Sequence, residues 1–380
     1  MLKYFSKYSP LLLTFFLLGF VSCKSQNKHP DFSRIDSLIN SSIEDKAFPG
    51  AVVLIFKNDK IIYEKGFGHL TYNDTSAIVT KNTIYDLASL TKVIATTTAT
   101  MLCYDKRFFS LDDPVSKYIP KFGNNGKEDI TIKNLLLHNS GLPAFIRFYK
   151  TNTDAKEVLD KIYSCKLSYK TGTETVYSDL GMIVMGKIIE KAAGKSLNDF
   201  CKENIFNPLG MTSTYFNPPD SLKYKIAPTE VDDYWRHRLI WGEVHDETAS
   251  LLNGVAGHAG LFSTAEDISK LISVLLNKGI FERKQFIEPE TIKLFTIKYS
   301  DLSTRALGWD TKSEENSTAG DLFSMSSFGH TGFTGTSVWV DPSRNLYVIF
   351  LTNRVYPTRE NHKISEIRPE LHNLIIELTD

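Results

Sequence analysis

Ser89 and Lys92 are the residues whose types and spacing point most directly to chemistry. They lie in IYDLASLTKV, where apolar and small residues recur at helical spacing, which predicts a largely buried helix from Asp86 onward. Residues three apart share one helix face, so the two side chains can touch. A serine hydroxyl needs a base to become a nucleophile, and a lysine with a free amine can serve. A helix start also favours negative charge developing at the serine.

Two further motifs supply the other groups that such chemistry needs. Tyr177 lies in TVYSDLGM, before an apolar helical run, and a loop tyrosine there can share a proton with Lys92 and relay it to a leaving group. His330, Thr331 and Gly332 immediately precede a predicted strand in FGHTGFTGTSVWV. Glycine at a strand entry lets a substrate backbone approach and pair with the edge. A backbone N–H there would be available to the oxyanion of a peptide-like acyl group.

The elements that must position these residues are predicted at both ends of the chain. Residues 32–47 have amphipathic helical spacing, and 51–68 and 335–353 each form a predicted pair of strands. A closing helix follows, in which Pro369 marks either a kink or the true start. We predict an α/β plus α fold, with one antiparallel sheet built from N- and C-terminal strands and flanked by helices. A mostly helical region, about 105–325, is inserted between them, leaving a cleft at the junction.

Composition excludes some classes of function. The chain has 380 residues, 42% of them hydrophobic, with 44 Lys+Arg balanced by 44 Asp+Glu. That length suits one large domain or two closely packed ones. The balanced charge and the lack of a basic patch argue against a nucleic-acid partner.

The first residues look like an export signal. A Lys-bearing start is followed by an apolar run that ends near Val21 and then by Ser22-Cys23, a run too short for a confident membrane span. This resembles a bacterial lipoprotein signal over residues 1–23, with Cys23 as the lipidated residue. An ordinary secretory signal, with Cys23 incidental, is the alternative. Residues 24–31 are a polar tether before a domain at 32–380, so we expect an exported periplasmic or cell-surface lipoprotein held to the membrane by its lipid.

Three cysteines remain after Cys23. Cys103 fits the apolar pattern of the predicted helix and is expected in the core. Cys165 and Cys201 allow a disulfide in an exported protein, but the sequence does not decide this. No C-x-x-C pattern suggests metal or redox work.

The order S-x-x-K, Y-x-D, H-T-G resembles the serine β-lactamase and penicillin-binding protein superfamily. The closest likeness is to the branch that holds class C β-lactamases, D-alanyl-D-alanine carboxypeptidases and related esterases. Supporting stretches span residues 84–357, among them SLDDPVSKYIP, LLLHNSGLP, IFNPLGM, VAGHAGLFSTAEDI, RALGWD and LTNRVYP. The resemblance implies an acyl-enzyme on Ser89, with Lys92 as base and Tyr177 as its partner.

The resemblance also assigns the substrate side. His330, Thr331 and Gly332 would line the substrate strand. A backbone N–H near Thr334 to Thr336 would be the second oxyanion donor, beside the N–H of the nucleophilic serine. No metal or cofactor is implied.

Two residues depart from the family pattern. Asp179 stands where the tyrosine motif usually has Asn, and a carboxylate near Lys92 would favour the protonated amine. Either Asp179 binds a cationic or amine-bearing substrate group, or it pairs within the protein. His330 replaces the lysine usual in true β-lactamases and, mostly neutral at pH 7, recognises a carboxylate less strongly.

His245, Asp246 and His258 form another cluster of ligand-type side chains. They could hold a metal, but they lie in stretches that match the family without one, so we place them in the pocket wall. The overall prediction is an exported serine hydrolase acting on cell-wall peptides, as a D,D-carboxypeptidase or peptidase, or on small esters and amides, with β-lactams as covalent ligands. A true class C-like β-lactamase and a non-catalytic penicillin-binding or sensor lipoprotein are the alternatives.

Overall fold

The computed structural model describes residue 4 and residues 31–151, 154–301 and 303–380. Cys23 and nearly all of the predicted signal segment and tether lie outside the described residues. Within the described ranges, no helix is both long and apolar enough to cross a membrane. Residues 32–380 form one compact unit.

The described helices and strands are numbered here in chain order. The α-helices are α1 Ser33–Glu44, α2 Thr98–Asp105, α3 Ile132–Leu136, α4 Ala155–Ser164, α5 Asp179–Ala193, α6 Leu197–Cys201, α7 Glu247–Leu251, α8 Ala265–Leu276, α9 Pro289–Thr296 and α10 Ile364–Thr379. The strands are β1 Gly50–Lys57, β2 Lys60–Gly68, β3 Tyr85–Asp86, β4 Tyr215–Phe216, β5 Val231–Asp232, β6 Arg238–Leu239, β7 Leu261–Ser263, β8 Ile280–Phe281, β9 Lys284–Gln285, β10 Asp310–Thr311, β11 Phe328–Thr331, β12 Ser337–Asp341 and β13 Leu346–Thr352.

The main sheet joins the two ends of the chain. Its strand order is β10-β11-β12-β13-β1-β2, and each neighbouring pair is antiparallel. The β1–β2 hairpin turns at Asn58 and Asp59, both with positive φ, as a tight hairpin requires. The predicted antiparallel sheet from both termini, with a mostly helical region inserted, is confirmed.

The central strands of the sheet are buried on both faces, and their side chains alternate between two cores. In β1, Val52 and Leu54 pack on the core shared with the inserted helices. Val53 and Ile55 pack on the core shared with α1 and α10. Such two-sided burial explains why β1 reads as an uninterrupted apolar run, AVVLIF, instead of an alternating one.

Two details left open by the sequence are settled. Helix α10 begins at Ile364 and contains Pro369 in its interior, so the proline is not the start of the helix. Cys103, Cys165 and Cys201 are free thiols, so Cys165 and Cys201 do not form a disulfide.

Candidate active site

Ser89 lies in a tight turn and not in a regular helix. Asp86 belongs to β3, Ala88–Leu90 is a single 3₁₀ turn, and Lys92–Thr97 is a π-helical segment that leads into α2. The predicted helix from Asp86 is therefore wrong in its first half. Ala88 has a φ of 47°, a left-handed conformation that is costly for a residue with a Cβ. The Asp86 carboxylate stabilises the turn by accepting the Ala88 N–H at 2.8 Å.

A short chain of polar contacts links Ser89 to Asp179 through Lys92. Lys92 Nζ donates to Ser89 Oγ at 2.9 Å and to the His258 carbonyl at 3.0 Å. It also lies 2.7 Å from Asp179 Oδ1, and its side chain has no exposed surface. Ser178 caps α5 through its side chain, which fixes Asp179 as the first helical residue. Asp179 therefore has Lys92 as a partner within the protein, which is the alternative to its binding a cationic substrate group.

The ion pair sets the protonation of the lysine. Burial works against a charged ammonium, but the Asp179 carboxylate outweighs burial and raises the pKa of Lys92 above its ordinary value. Lys92 is thus predominantly protonated in the resting protein, and only the small deprotonated fraction can take the proton of Ser89.

Tyr177 packs beside this chain of contacts. Lys92 Nζ lies 4.8 Å from the ring centroid and the Arg305 guanidinium carbon lies 5.0 Å from it, both within cation–π range. Tyr177 Oη is buried and makes no well-aligned hydrogen bond within the described residues, but Lys92 and Ser89 lie near enough to interact with it. Burial raises the pKa of Tyr177, against the opposing charge of Lys92, so the phenol carries its proton and can donate it.

Two neutral histidines flank the Tyr177 ring. The ring centroid of His138 is 4.7 Å from that of Tyr177, and the centroid of His330 is 5.8 Å from it. Burial, with the charges of Arg305 and Lys92, holds the pKa of both histidines well below the ordinary value. His138 Nδ1 accepts the Ser178 N–H at 3.0 Å, so this residue fixes the backbone next to Tyr177. Sequence reasoning did not identify that role.

His330 and Thr331 are the last residues of β11, not residues that precede a strand, so the predicted boundary is wrong. His330 Nδ1 lies 2.8 Å from the Thr331 carbonyl, an acceptor, and therefore carries the proton. His330 Nε2 is then an acceptor, with no partner among the described residues. Strand β10 pairs with Phe328 and Gly329 and stops short of His330 and Thr331, which leaves their edge open to an extended substrate.

The turn after β11 is tied to the segment before Ser89. Thr334 Oγ1 donates to the Asp86 carbonyl at 2.7 Å, and Thr336 Oγ1 donates to the Leu87 carbonyl at 3.0 Å. Both hydroxyls donate their hydrogen within the protein, so the donors that these two residues can still offer a substrate are their backbone N–H groups. Their contacts hold Gly332 and the serine turn at a fixed separation.

Two cavities meet at Ser89 and Tyr177. The first, of 630 Å³, lies on the side of His330 and has three arginines in its wall: Arg305, Arg354 and Arg368. The second, of 390 Å³, lies on the side of Asp179 and has aromatic and mixed-charge walls: Phe145, Arg147, Tyr149, Phe333, Asp246, Glu247 and Arg359. A larger cavity of 1160 Å³ is lined by α8, α9 and the β1–β2 hairpin and contains none of the predicted site residues.

The three residues predicted to lie in the pocket wall differ in their positions. His245 and Asp246 line the second cavity, whereas His258 is buried behind Lys92 and bonds Asp246 through Nε2 at 2.9 Å. The wall prediction for His258 is therefore wrong. His245 bonds Glu230 at 3.0 Å. No group of three or more His, Cys, Asp or Glu side chains in the described parts of the chain could hold a metal ion.

The arginines of the first cavity and the aromatics of the second were not singled out from sequence. Arg305, Phe333 and Arg354 lie within RALGWD, FGHTGFTGT and LTNRVYP, stretches that carried the resemblance, which was the available signal. Arg368 lies in α10 and had no motif to mark it.

Several proteins are similar in sequence to this chain over most of its length. A protein of Escherichia coli K12 with the provisional name D-alanyl-D-alanine carboxypeptidase is 33% identical over 356 residues, covering 85% of this chain and 82% of that protein. A protein of Salmonella agona with the same provisional name is 32% identical over 409 residues, covering 95% of this chain and 94% of that protein.

Solved structures share the fold at lower identity. A class C beta-lactamase from Rhodobacter sphaeroides superposes with a TM-score of 0.71 at 20% identity, covering 90% of this chain and 99% of that one. A second class C beta-lactamase gives 0.75 at 21% identity, covering 92% and 96%.

The family comparison covers the whole site. The Beta-lactamase family model matches residues 35–370, a range that includes the serine turn, the Tyr177 segment and β11. Together with the relatives above 30% identity, this match establishes the family. The chain belongs to the beta-lactamase family and is a serine hydrolase of that family.

Proposed function

We propose that this protein is an exported, lipid-anchored hydrolase that cleaves peptide-like substrates in the manner of a D,D-carboxypeptidase. The observation that carries the proposal is the contact of Ser89 with Lys92 at 2.9 Å, where two cavities meet beside the open edge of β11. An extended peptide can pair with that edge while its acyl side enters one cavity and its leaving group enters the other.

The chemistry follows from these contacts. Ser89 Oγ attacks the carbonyl carbon as the deprotonated fraction of Lys92 takes its proton. Tyr177 Oη gives a proton to the leaving nitrogen as the C–N bond breaks, and Lys92 returns a proton to Tyr177. Water then attacks the acyl carbon, the bond to Ser89 Oγ breaks, and Ser89 regains its hydrogen. Backbone N–H groups of the serine turn and of the turn after β11 stabilise the oxyanion.

The preference for peptide substrates is proposed from the relatives and not from His330, because a peptide C-terminus and a β-lactam both carry a carboxylate. A neutral imidazole offers an acceptor at Nε2 and no positive charge at that point, so it does not replace a lysine ammonium. The relatives with the provisional name D-alanyl-D-alanine carboxypeptidase support that preference. Esterase-type action on small acyl groups uses the same serine and is separated from peptidase action by experiment.

The experiment compares three substrates with the full protein and with Ser89→Ala. They are an acylated peptide ending in D-Ala-D-Ala, a short-chain p-nitrophenyl ester and nitrocefin. We expect release of D-Ala that disappears in Ser89→Ala. Ester cleavage without peptide cleavage would make the protein an esterase, and rapid nitrocefin turnover would make it a β-lactamase. No Ser89-dependent turnover of any substrate would leave a binding or sensor protein.

Export and anchoring are proposed from the first residues alone. A lipidated Cys23 after an apolar run would hold residues 32–380 at a membrane surface by the polar tether. Cys23→Ser should move the protein from the membrane fraction to the soluble exported fraction without changing its activity. A membrane-bound Cys23→Ser protein would refute the anchor, and retention of the wild-type protein inside the cell would refute export.

A further inference from the structure

Arg368 is a buried guanidinium with spare donors beside the nucleophile. It lies on α10, is 7% exposed and lines the cavity that contains Ser89. Its Nη2 donates to the Gly332 carbonyl at 3.2 Å and to the Thr336 carbonyl at 3.0 Å. Its Nε is buried and donates to no other described residue. The carbonyls fix the guanidinium through Nη2, and because Nε is too deeply buried to meet a ligand, Nη1 is the donor left for the cavity.

Arg354 lines the same cavity and is held in a similar way. Its Nε donates to the Phe333 carbonyl at 2.8 Å, and its Nη1 donates to the carbonyls of Arg359 at 2.8 Å and Asn361 at 2.6 Å. Those bonds use Nε and Nη1, and Nη2 has no hydrogen-bond partner among the described residues. Backbone carbonyls orient both arginines, but carbonyls do not neutralise their charge.

Neither charge has an ion-pair partner among the described residues, although Glu230 and Glu360 act on Arg354 from beyond ion-pair distance. Buried Arg236, by contrast, pairs with Asp232 at 2.9 Å. Arg354 and Arg368 line the same cavity, and burial together with the charge of Arg354 lowers the pKa of Arg368 to about 9. Two buried cations in one cavity without an ion-pair partner are unfavourable unless a ligand supplies negative charge.

The third arginine of the cavity differs from these two. Arg305 lies 3.7 Å from Asp310, so one carboxylate already offsets it, and His330 is neutral. The cavity therefore has two guanidinium groups without an ion-pair partner among the described residues, and each can give a carboxylate a charge-assisted hydrogen bond from the nitrogen that remains free.

We propose that Arg354 and Arg368 together bind a leaving group with two negative charges, a C-terminal residue that has an acidic side chain besides its terminal carboxylate. This inference rests on the proposed peptidase function. It goes beyond it by naming the residue that is released: a dicarboxylic amino acid fits the two guanidinium groups, whereas alanine would neutralise one of them.

The first test needs no mutation. Peptides ending in D-Ala-D-Glu, D-Ala-D-Gln and D-Ala-D-Ala are compared as substrates of the full protein. The Glu and Gln side chains match in shape and differ in charge. We expect kcat/KM for the Glu peptide to exceed that for the Gln peptide by about tenfold or more, because hydrogen bonds between charged groups are stronger than those to a neutral amide. Equal values for the two peptides, or a preference for Gln, would overturn the proposal.

Variants locate the preference. Arg354→Gln and Arg368→Gln should each reduce the Glu-over-Gln ratio to about twofold, mainly through KM. Arg368→Lys should restore part of it. Arg34→Gln is the control, because it removes the same charge from a side chain that is 61% exposed, and it should leave the ratio unchanged. An unchanged ratio in both active-site variants would assign the arginines to loop support alone.

A binding assay keeps this inference separable from the proposed function and from variants that do not fold. The wild-type protein is labelled at Ser89 by a fluorophosphonate in the presence of D-glutamate or D-glutamine. D-Glutamate should slow the labelling at concentrations where D-glutamine has no effect. Protection without peptide cleavage would uphold the anion site and refute the peptidase. Peptide cleavage without selective protection would support the peptidase and refute the anion site.

Discussion

Asp179 alters the serine–lysine pair at the scale of single residues. Its carboxylate lies 2.7 Å from Lys92 Nζ, and Lys92 in turn contacts Ser89 Oγ at 2.9 Å. An amide at the same position could hold the lysine by a hydrogen bond without stabilising its charge. The carboxylate therefore reduces the fraction of Lys92 that is free to act as a base and should move activity to higher pH.

The first prediction concerns that pH dependence. Because Asp179 raises the pKa of Lys92, kcat/KM should rise with pH as the free amine appears. Asp179→Asn removes the carboxylate, so the rising limb of the pH–rate profile should move to lower pH by about one unit or more. The measurement is kcat/KM against pH for the wild type and the variant.

The control for this prediction is Asp160→Asn, which removes an exposed carboxylate that pairs with Lys156. Its profile should overlay that of the wild type. A limb that does not move in Asp179→Asn would mean that Lys92 does not act as the base in its free form.

The sequence predicted some site residues well and others not at all. Ser89, Lys92, Tyr177 and His330 lie in short motifs whose chemistry can be recognised locally, and the structure brings all four together. Arg368 contributes from a helix more than 270 positions away from Ser89, and its meaning depends on what surrounds it. Sequence predicts residue type and local spacing, but it does not predict which distant charges lack an ion-pair partner.

At the scale of elements, the turn after β11 and the turn that carries Ser89 act as one unit. A Cβ on Gly332 would lie 2.1 Å from Thr336 Oγ1 and 2.4 Å from the Leu87 carbonyl, far inside normal contact. The missing side chain therefore allows the two turns to approach, and the open edge of β11 is positioned against the nucleophile by that approach.

Gly332→Ala should separate the two turns. We expect kcat/KM to fall by about 10- to 100-fold, since small misplacements of reacting groups cost that much, with a lower melting temperature as well. The control is Gly181→Ala, because a Cβ there meets nothing closer than 3.6 Å and should leave kcat/KM unchanged. Full activity in Gly332→Ala would show that the separation of the turns is not critical.

Strand β5 is anchored by a buried ionic cluster next to the second cavity. Glu230 accepts from Arg359 Nη2 at 2.6 Å and contacts His245 at 3.0 Å, and its side chain is 5% exposed. Burial alone would raise its pKa, but the hydrogen bonds from His245 and Arg359 lower the pKa of Glu230 to about 2. The charged form is therefore the form that stabilises the fold.

This cluster predicts acid sensitivity. A carboxyl whose pKa is lower in the folded than in the unfolded state adds stability above the unfolded value, near 4.5, and loses it as pH falls towards 2. Glu230→Gln should lower the free energy of unfolding at pH 7 by about 3 kcal/mol and flatten its dependence on pH between about 4.5 and 2. Urea unfolding at several pH values measures both.

Glu243→Gln is the matched control for Glu230, because Glu243 pairs with Arg238 on the neighbouring strand but is 33% exposed. Its loss should cost less than about 1 kcal/mol. Equal costs for the two variants would contradict the assignment of Glu230 as a buried anchor.

Local sequence patterns were sufficient to predict the elements but not their exact ends. The two hairpins and α1 follow from alternation, turn residues and helical spacing. The 3₁₀ turn and the π-helical segment after β3 replace the regular helix that was predicted. This stretch is bonded to distant segments, since the Asp86 carboxylate accepts the His245 N–H at 2.7 Å and the Thr334 and Thr336 hydroxyls donate to the carbonyls of Asp86 and Leu87. Those are tertiary contacts that the periodicity of apolar residues does not encode.

The whole molecule is held by a sheet that joins residues far apart in the chain. Strands β1 and β13 pair along seven positions, from Ala51–Thr352 to Lys57–Leu346, and both cores form against them. No disulfide forms among Cys103, Cys165 and Cys201. The melting temperature should therefore be the same with and without a reductant, as scanning calorimetry can measure. A lower value in reductant would reveal a bond absent from this fold.

The central claim is that the molecule is built around a nucleophilic Ser89. The most direct measurement is intact mass after treatment with a fluorophosphonate, followed by peptide mapping, for the wild type and Ser89→Ala. We predict one adduct per wild-type molecule, located on Ser89, and none on the variant. An adduct that persists in Ser89→Ala, or a wild-type protein that does not react, would contradict the account.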